Sequence, residues 1–183
     1  MKLLPITAGF PAEIRTARLT LRPIRDDDLD PLHAMLGDIE VMRYWSSLPH
    51  ESRAQTRDWI AANRAAVAAG TAIECGAEYR SRLIGRVIFW NGNELGYIFD
   101  KAHWGQGFAG EAVAAMIDRA FATQDWDAIT ADIDPRNLAS GNLLRRLGFQ
   151  PTSYKERTFC IGGEWSDSQY FALSRTDWRA RAM

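Results

Sequence analysis

Along the chain the spacing of apolar positions switches repeatedly between two residues and three to four, and each switch marks a new element. RLTLRPI (18–24) alternates and predicts a first strand, stopped near Pro23. In DDDLDPLHAMLGD (26–38) the acids come first, and Leu29, Leu32, Met35 and Leu36 follow at helical spacing. The irregular VMRYWSSLPH (41–50) leads to a second helix over about 51–69, with Gly70 as its stop. TAIECGAEY (71–79), RLIGRVIFW (82–90) and ELGYIFD (94–100) read as strands. Tyr79-Arg80-Ser81-Arg82 and Asn91-Gly92-Asn93 connect them, so an antiparallel meander is expected.

From Phe108 onward, Ala109, Ala112, Val113, Met116, Ile117, Ala120 and Phe121 mark one face of a long helix. DAITADID (127–134) predicts a strand, and NLASGNLLRRLGF (137–149) a helix that stops at Gly148. Two last strands, near 153–161 and 164–174, flank Gly162-Gly163, and residues 1–15 form a loose lead-in. The strand–helix–strand unit over 94–134 should be parallel and right-handed inside an otherwise antiparallel sheet. The expected fold class is α/β: a mixed, mostly antiparallel sheet with a central parallel β-α-β unit, flanked by helices. With no repeat and no linker-like stretch, residues 1–183 are expected to form a single domain.

Composition narrows function mainly by exclusion. The 22 basic and 23 acidic side chains nearly cancel, so no overall field favours nucleic acid or an anionic membrane. Cys75 and Cys160 lack C-x-x-C spacing, and His33, His50 and His103 lack a ligand rhythm. Neither a disulfide framework nor a metal is expected. The N-terminal apolar run is too short for a signal peptide and no segment is long enough to span a bilayer, which makes the cytoplasm the expected compartment.

The chemistry concentrates in HWGQGFAG (103–110), where Gly105, Gly107 and Gly110 spell G-x-G-x-x-G between a strand and a helix. Amides at a helix N-terminus attract anions, and glycine lets a pyrophosphate come close. Asp132 or Asp134 even supplies the acid that a dinucleotide site places some twenty positions on. Three features weigh against NAD. Lys101-Ala102-His103-Trp104 separates the strand from the first glycine, the strand itself carries Glu94 and Asp100, and no further β-α-β repeat follows. An NAD-dependent oxidoreductase is the weaker alternative.

ELGYIFDKAHWGQGFAGEA (94–112) followed by NLASGNLLRRLGF (137–149) resembles the GNAT superfamily of acetyl-CoA-dependent N-acetyltransferases, in particular its RimJ/RimL-like branch. The likeness extends to TARLTLRPI, RYWSSLP, Trp59-Ile60 and LSRTDW, nearly the whole chain. The resemblance implies a GNAT fold and an acyltransferase that moves the acetyl group of acetyl-CoA, its cosubstrate, to a primary amine by direct attack in a ternary complex. It also implies that the amides of the loop Trp104, Gly105, Gln106, Gly107, Phe108, Ala109 and Gly110 hold the coenzyme pyrophosphate. In the superfamily pattern R/Q-x-x-G-x-G/A, Trp104 stands where Arg or Gln is usual, with Gly107 and Ala109 at the small positions. The backbone of Ile98 and Phe99 would bond the pantetheine arm, Asn137 its amide, and Arg145 a coenzyme phosphate. Tyr44 and Trp45 would shape the acceptor pocket, and relatives often form homodimers.

Acetyl transfer needs a neutral amine, a polarised carbonyl and a stabilised thiolate. Glu94 shares a strand face with Gly96, which opens a slot in the sheet, and is the candidate general base. A strand-end glutamate facing solvent is the competing reading. Ser140 opens the later helix with Asn137 as N-x-x-S, a pattern that also serves as an ordinary cap. By resemblance Ser140 approaches the sulfur, because the position of the usual tyrosine acid is Leu144. Glu111 and Asp118 read as surface residues, and His103 as structural. A catalytically silent acetyl-CoA sensor remains an alternative, and no segment encodes whether the acceptor is a protein N-terminus or a small molecule.

Overall fold

A computed structural model describes residues 13–181. Its single sheet has eight strands: β1 (Ile14–Arg15), β2 (Thr20–Arg22), β3 (Ala72–Tyr79), β4 (Arg82–Trp90), β5 (Glu94–Phe99), β6 (Ala128–Ile133), β7 (Gln150–Ile161) and β8 (Glu164–Ser174). Their order across the sheet is β1-β2-β3-β4-β5-β6-β8-β7. Every neighbouring pair is antiparallel except β5 and β6. The mixed sheet with one central parallel pair is therefore present as the alternation implied.

Local chemistry sets the connections. Arg80 and Ser81 take φ of 49° and 63°, and Gly162 and Gly163 take 58° and 87°, the left-handed pairs that two-residue hairpins require. Helix α1 (Leu29–Leu36) follows a single 3-10 turn at Asp26–Asp28, and α3 (Arg53–Ala68) is capped by Ser52. Helix α4 (Phe108–Thr123) crosses from β5 to β6, and α5 (Leu138–Arg146) leads from β6 to β7. At the end of α5, Phe149 N–H bonds Leu144 C=O and Gly148 N–H bonds Arg145 C=O, the paired closure of a glycine-terminated helix.

Two apolar clusters lie on opposite faces of the sheet. On one face Val113, Met116, Ile117 and Phe121 of α4 and Leu144 of α5 pack on Val87, Phe89, Leu95 and Phe99. On the other, Leu32, Met35 and Leu36 of α1 and Ile60 of α3 meet Ile24, Leu83 and Ile98. Among the described residues the two buried arginines are paired: Arg22 bonds Asp28 at 2.7 Å and Glu78 at 2.6 Å, and Arg86 meets Glu74 beneath α3.

The outlying elements correct the expectations. Residues 1–12 of the lead-in lie outside the described residues, but Ile14 and Arg15 pair with Leu21 and Thr20 as β1. The first strand shrinks to three residues, since Pro23 has no N–H to continue the ladder. An extra turn, α2 (Ile39–Met42), forms because Asp38 caps the amides of Glu40 and Val41. The last strand covers 164–174 as expected, and an additional helix follows it, α6 (Arg175–Ala180), where Ser174 accepts from Asp177 N–H.

The register places Gly85 directly opposite Phe99, and a Cβ at Gly85 would overlap the Phe99 ring. Gly85→Ala is expected to displace that ring and to destabilise the fold by about 1–3 kcal/mol. Urea unfolding reads this as a lower midpoint at constant slope; an unchanged midpoint would mean that the sheet relaxes freely there.

Candidate active site

Strands β5 and β6 share one register pair, Glu94 with Thr130, fastened by Thr130 N–H to Asn93 C=O at 3.0 Å. Beyond it they part, and a cavity of about 730 Å³ opens between them and the helices. Glu94, Tyr97, Asp132, Asn137 and Ser140 all line it, as do Tyr44 and Trp45 from the loop after α2.

Backbone parity decides which peptide groups of β5 face the gap. Asp100 N–H bonds Ile84 C=O at 2.9 Å, and hydrogen-bonded positions alternate along an antiparallel pair. Gly96 and Ile98, in register with Ile88 and Arg86, are thus tied to β4. Leu95, Tyr97 and Phe99 turn their peptide groups toward β6. The expectation for Ile98 is corrected accordingly: its backbone belongs to the sheet and its side chain to the α1–α3 cluster. At Phe99 the carbonyl accepts the Trp104 indole N–H at 2.8 Å, so Trp104 ties the glycine loop to the strand edge while half its surface stays exposed.

Glu94 and Tyr97 stand on opposite faces of the same strand. The Glu94 carboxyl is pushed above its usual 4.5, first by burial and then by the neighbouring charge of Asp132. On the far face the Tyr97 hydroxyl lies 2.6 Å from Ser140 Oγ. Burial pushes the Tyr97 hydroxyl up to about 12, against the pull of Ser140 and the Arg146 charge. Tyr97 is a site residue that the sequence reading missed. Its alternation with Leu95 and Phe99 announced the face, but nothing announced a partner 43 residues away. Asn137 acts as the cap of α5, its side-chain oxygen accepting Ser140 N–H at 3.0 Å.

The glycine loop is shaped for an anion. Gly107 caps α4 with φ 82°, and no side chain bonds the first-turn amides of Phe108, Ala109 and Gly110. Those N–H groups have no acceptor within their own helix. A Cβ at Gly105 would meet nothing within 4 Å, which leaves the loop open to a ligand. The Phe108 side chain, by contrast, is buried against Tyr79 with ring centroids 4.7 Å apart, so only its amide is available. Gln106 turns its own side chain back onto Ala102 C=O. Arg145 rests on the Phe171 ring, 5.3 Å from its centroid, which assigns its visible contact to packing.

Two residues read as surface prove to be fasteners. Asp118 accepts the Trp178 indole N–H at 2.7 Å. Glu111 accepts from Thr16 Oγ and from both the backbone and the guanidinium of Arg18, while Arg18 also bonds Gln106 C=O at 2.9 Å. Arg18 thereby braces the glycine loop from below, stacked 4.3 Å from the Phe108 centroid.

With one parallel pair among eight strands, the sheet is not doubly wound, which removes the architecture of an NAD-dependent oxidoreductase. The acetyltransferase (GNAT) domain model matches residues 18–150. The chain belongs to the GNAT acetyltransferase family. It is 34% identical over 177 residues to the uncharacterized N-acetyltransferase p20 of Bacillus licheniformis, covering 89% of this chain and 96% of that protein. The ribosomal protein uS5 alanine N-acetyltransferase of Escherichia coli is 38% identical over 84 residues, 46% of this chain and 43% of the relative. RimJ of Mycobacterium smegmatis, solved in complex with CoA-disulfide, shares the fold at a TM-score of 0.83 and 21% identity, over 93% of this chain and 90% of its own.

In this GNAT protein the brace beneath the loop has a pH signature. Burial alone would raise the Glu111 carboxyl, but the bonds from Thr16 and Arg18 outweigh it and hold it below 4.5. A lowered folded value means that the stabilisation is complete above the unfolded value and fades as pH falls through the folded one. Glu111→Gln is therefore expected to lose about 1–3 kcal/mol at neutral pH. Urea unfolding should show the gap to wild type closing in acid; a gap independent of pH would place the brace elsewhere.

Proposed function

We propose that the chain acts as a single, cytoplasmic N-acetyltransferase domain. It would move the acetyl group of acetyl-CoA to a primary amine, either a protein N-terminus or a small molecule, by direct attack in a ternary complex. A homodimeric assembly and independence from metals belong to the same proposal.

The observation that carries this reading is the arrangement across β5: a carboxylate with raised proton affinity on one face, a hydroxyl pair on the other, and backbone facing the gap between them. The acceptor arrives as an ammonium and must lose a proton; Glu94, directly or through water, takes it. The nitrogen then attacks the thioester carbonyl carbon, the N–C bond forms and the C–S bond breaks. The second nitrogen proton leaves to solvent, and the coenzyme thiolate acquires one. Net, an ammonium and a thioester give an amide, a thiol and one released proton. Tyr97 and Ser140 share a hydroxyl network that remains protonated at neutral pH and suits donation toward the departing sulfur. In this scheme the uncapped amides from Gly105 to Gly110 hold the pyrophosphate. The gap-facing peptide groups of Tyr97 and Phe99 meet the pantetheine arm.

A neutral cysteine is consistent with direct attack, since burial and the Glu74 charge raise Cys75 to about 12 and keep it a thiol.

Steady-state acetyl transfer, followed by thiol release over a panel of amines, tests the proposal. Glu94→Gln is expected to lower kcat by about 10²–10⁴-fold while coenzyme A still raises the melting temperature. Because a base must be ionised, wild-type kcat/KM should rise with pH through the elevated Glu94 value, and the variant should lack that limb. Coenzyme binding without transfer to any amine would leave a silent sensor instead. Full activity in both Glu94→Gln and Ser140→Ala would remove their assigned roles.

A further inference from the structure

Two imidazoles share one buried hydroxyl. Thr56, in the first turn of α3, has no exposed surface. Its Oγ1 lies 2.9 Å from His33 Nδ1 on α1 and 3.0 Å from His50 Nδ1 in the loop after α2. Three elements therefore meet at one oxygen, and the two ring nitrogens stand within about 6 Å of each other, close enough for like charges to repel.

His50 anchors a loop that otherwise faces outward. From Arg43 to Gln55 every residue except His50 is exposed or half-buried. His50 N–H bonds Leu36 C=O at 2.8 Å, which ties the loop to the end of α1. Tyr44, Trp45 and His50 all line the cavity, so whatever holds His50 holds one wall of it.

Proton arithmetic decides when the hold is sound. A threonine hydroxyl has one hydrogen and two lone pairs. With both rings neutral, one Nδ1–H donates to Oγ1 while the Oγ1 hydrogen goes to the other Nδ1. Once one ring is protonated both Nδ1 atoms are donors. The hydroxyl then accepts from both by turning its hydrogen to Ser52 C=O, 3.4 Å away. A second proton adds no bond and sets two cations against each other.

The anions nearby are already engaged or outside the pocket. On α1, Asp30 pairs with Arg53 at the surface, and Asp38 beyond its end is bound by Lys101. Glu51 of the loop and Arg57 and Asp58 of α3 are exposed. Beneath α3, Arg86 is matched by Glu74 and lies over the Trp59 ring, which meets His50 edge-on at 6.1 Å. Across the cavity, Asp134 is held by Arg136, Asp167 by Tyr154 and Arg157, and Asp132 by Ser168, while Glu94 stands exposed on β5. Burial, and after it the charge of His33, lowers the proton affinity of His50.

We infer that His33, Thr56 and His50 form a pH-sensitive clasp on the Tyr44–Trp45 wall of the cavity, shut while at most one ring is charged and sprung when both are. The clasp does not depend on the transfer reading. A lowered folded value for His50 means that the shut state is fully stabilised above the ordinary imidazole value and fades as pH falls through the lowered one.

Hydrogen exchange on the full chain, corrected for the intrinsic effect of pH, tests this at residues 44–50. Exchange there is expected to run about tenfold faster at pH 5 than at pH 7.5, the factor for one unit of displaced protonation, with α4 unchanged. His33→Gln and His50→Gln each leave a single titrating ring and should flatten the response. Thr56→Val should leave the segment fast at both pH values, and Thr56→Ser should restore the wild-type response. By nitrogen-15 NMR, His33→Gln should move the His50 titration back up toward the ordinary imidazole range. Exchange independent of pH in wild type, an undiminished acid response in His33→Gln, or a His50 titration indifferent to His33 overturns the inference. So does an acid response shared equally by α4, which would be unfolding of the whole chain.

Discussion

The rest of the site depends on a refusal of β5 and β6 to stay paired. Parallel neighbours normally satisfy each other's peptide groups along their length, and an unsatisfied buried peptide group is costly. Here the ladder ends after Glu94 and Thr130, leaving the inner edge of β5 turned toward a gap. An extended ligand with amides of its own can complete that edge as a missing strand would. Everything else is placed by this opening: Glu94 on one side of β5, Tyr97 on the other, and the capped start of α5 at the mouth.

The fold was legible wherever burial imposed a period. The seven buried positions of α4 include Ala112, Val113, Met116, Ile117, Ala120 and Phe121, all visible as a stripe in the sequence. Hairpins at Asn91-Gly92 and Gly162-Gly163 were visible for the same reason, because local backbone preference decides them. Contacts between distant segments left no such trace. Arg18 reaches Glu111 across 93 residues, and neither residue looks unusual in its own neighbourhood. Ile98 illustrates a subtler limit. A period of two reveals which face a side chain takes, but the edge to which a peptide group points also depends on register with β4.

Charge is treated differently in the interior and at the cavity. Arg22 is clasped by Asp28 and Glu78, and Arg86 by Glu74, so the sheet's buried cations are matched where they stand. Matched pairs of this kind contribute little net stability but are expensive to break. Glu94 breaks the pattern, with partial burial and the Asp132 charge both working against its ionised form, whereas burial raises Asp132 against the pull of Ser168, Tyr170 and Lys155. A structure that neutralises charge elsewhere and tolerates it here concentrates its field at one address.

The bond from the Trp104 indole to the Phe99 carbonyl has a mechanical meaning. It pins the anion loop to the same strand edge that borders the cavity, while Arg18 pins that loop to the start of α4 from the other side. The loop and the edge therefore move as one piece, at a fixed separation. In the proposed transfer reading such a piece would work as a ruler: a carrier with too short an arm would leave its reactive end outside the cavity, and one with too long an arm would have to buckle.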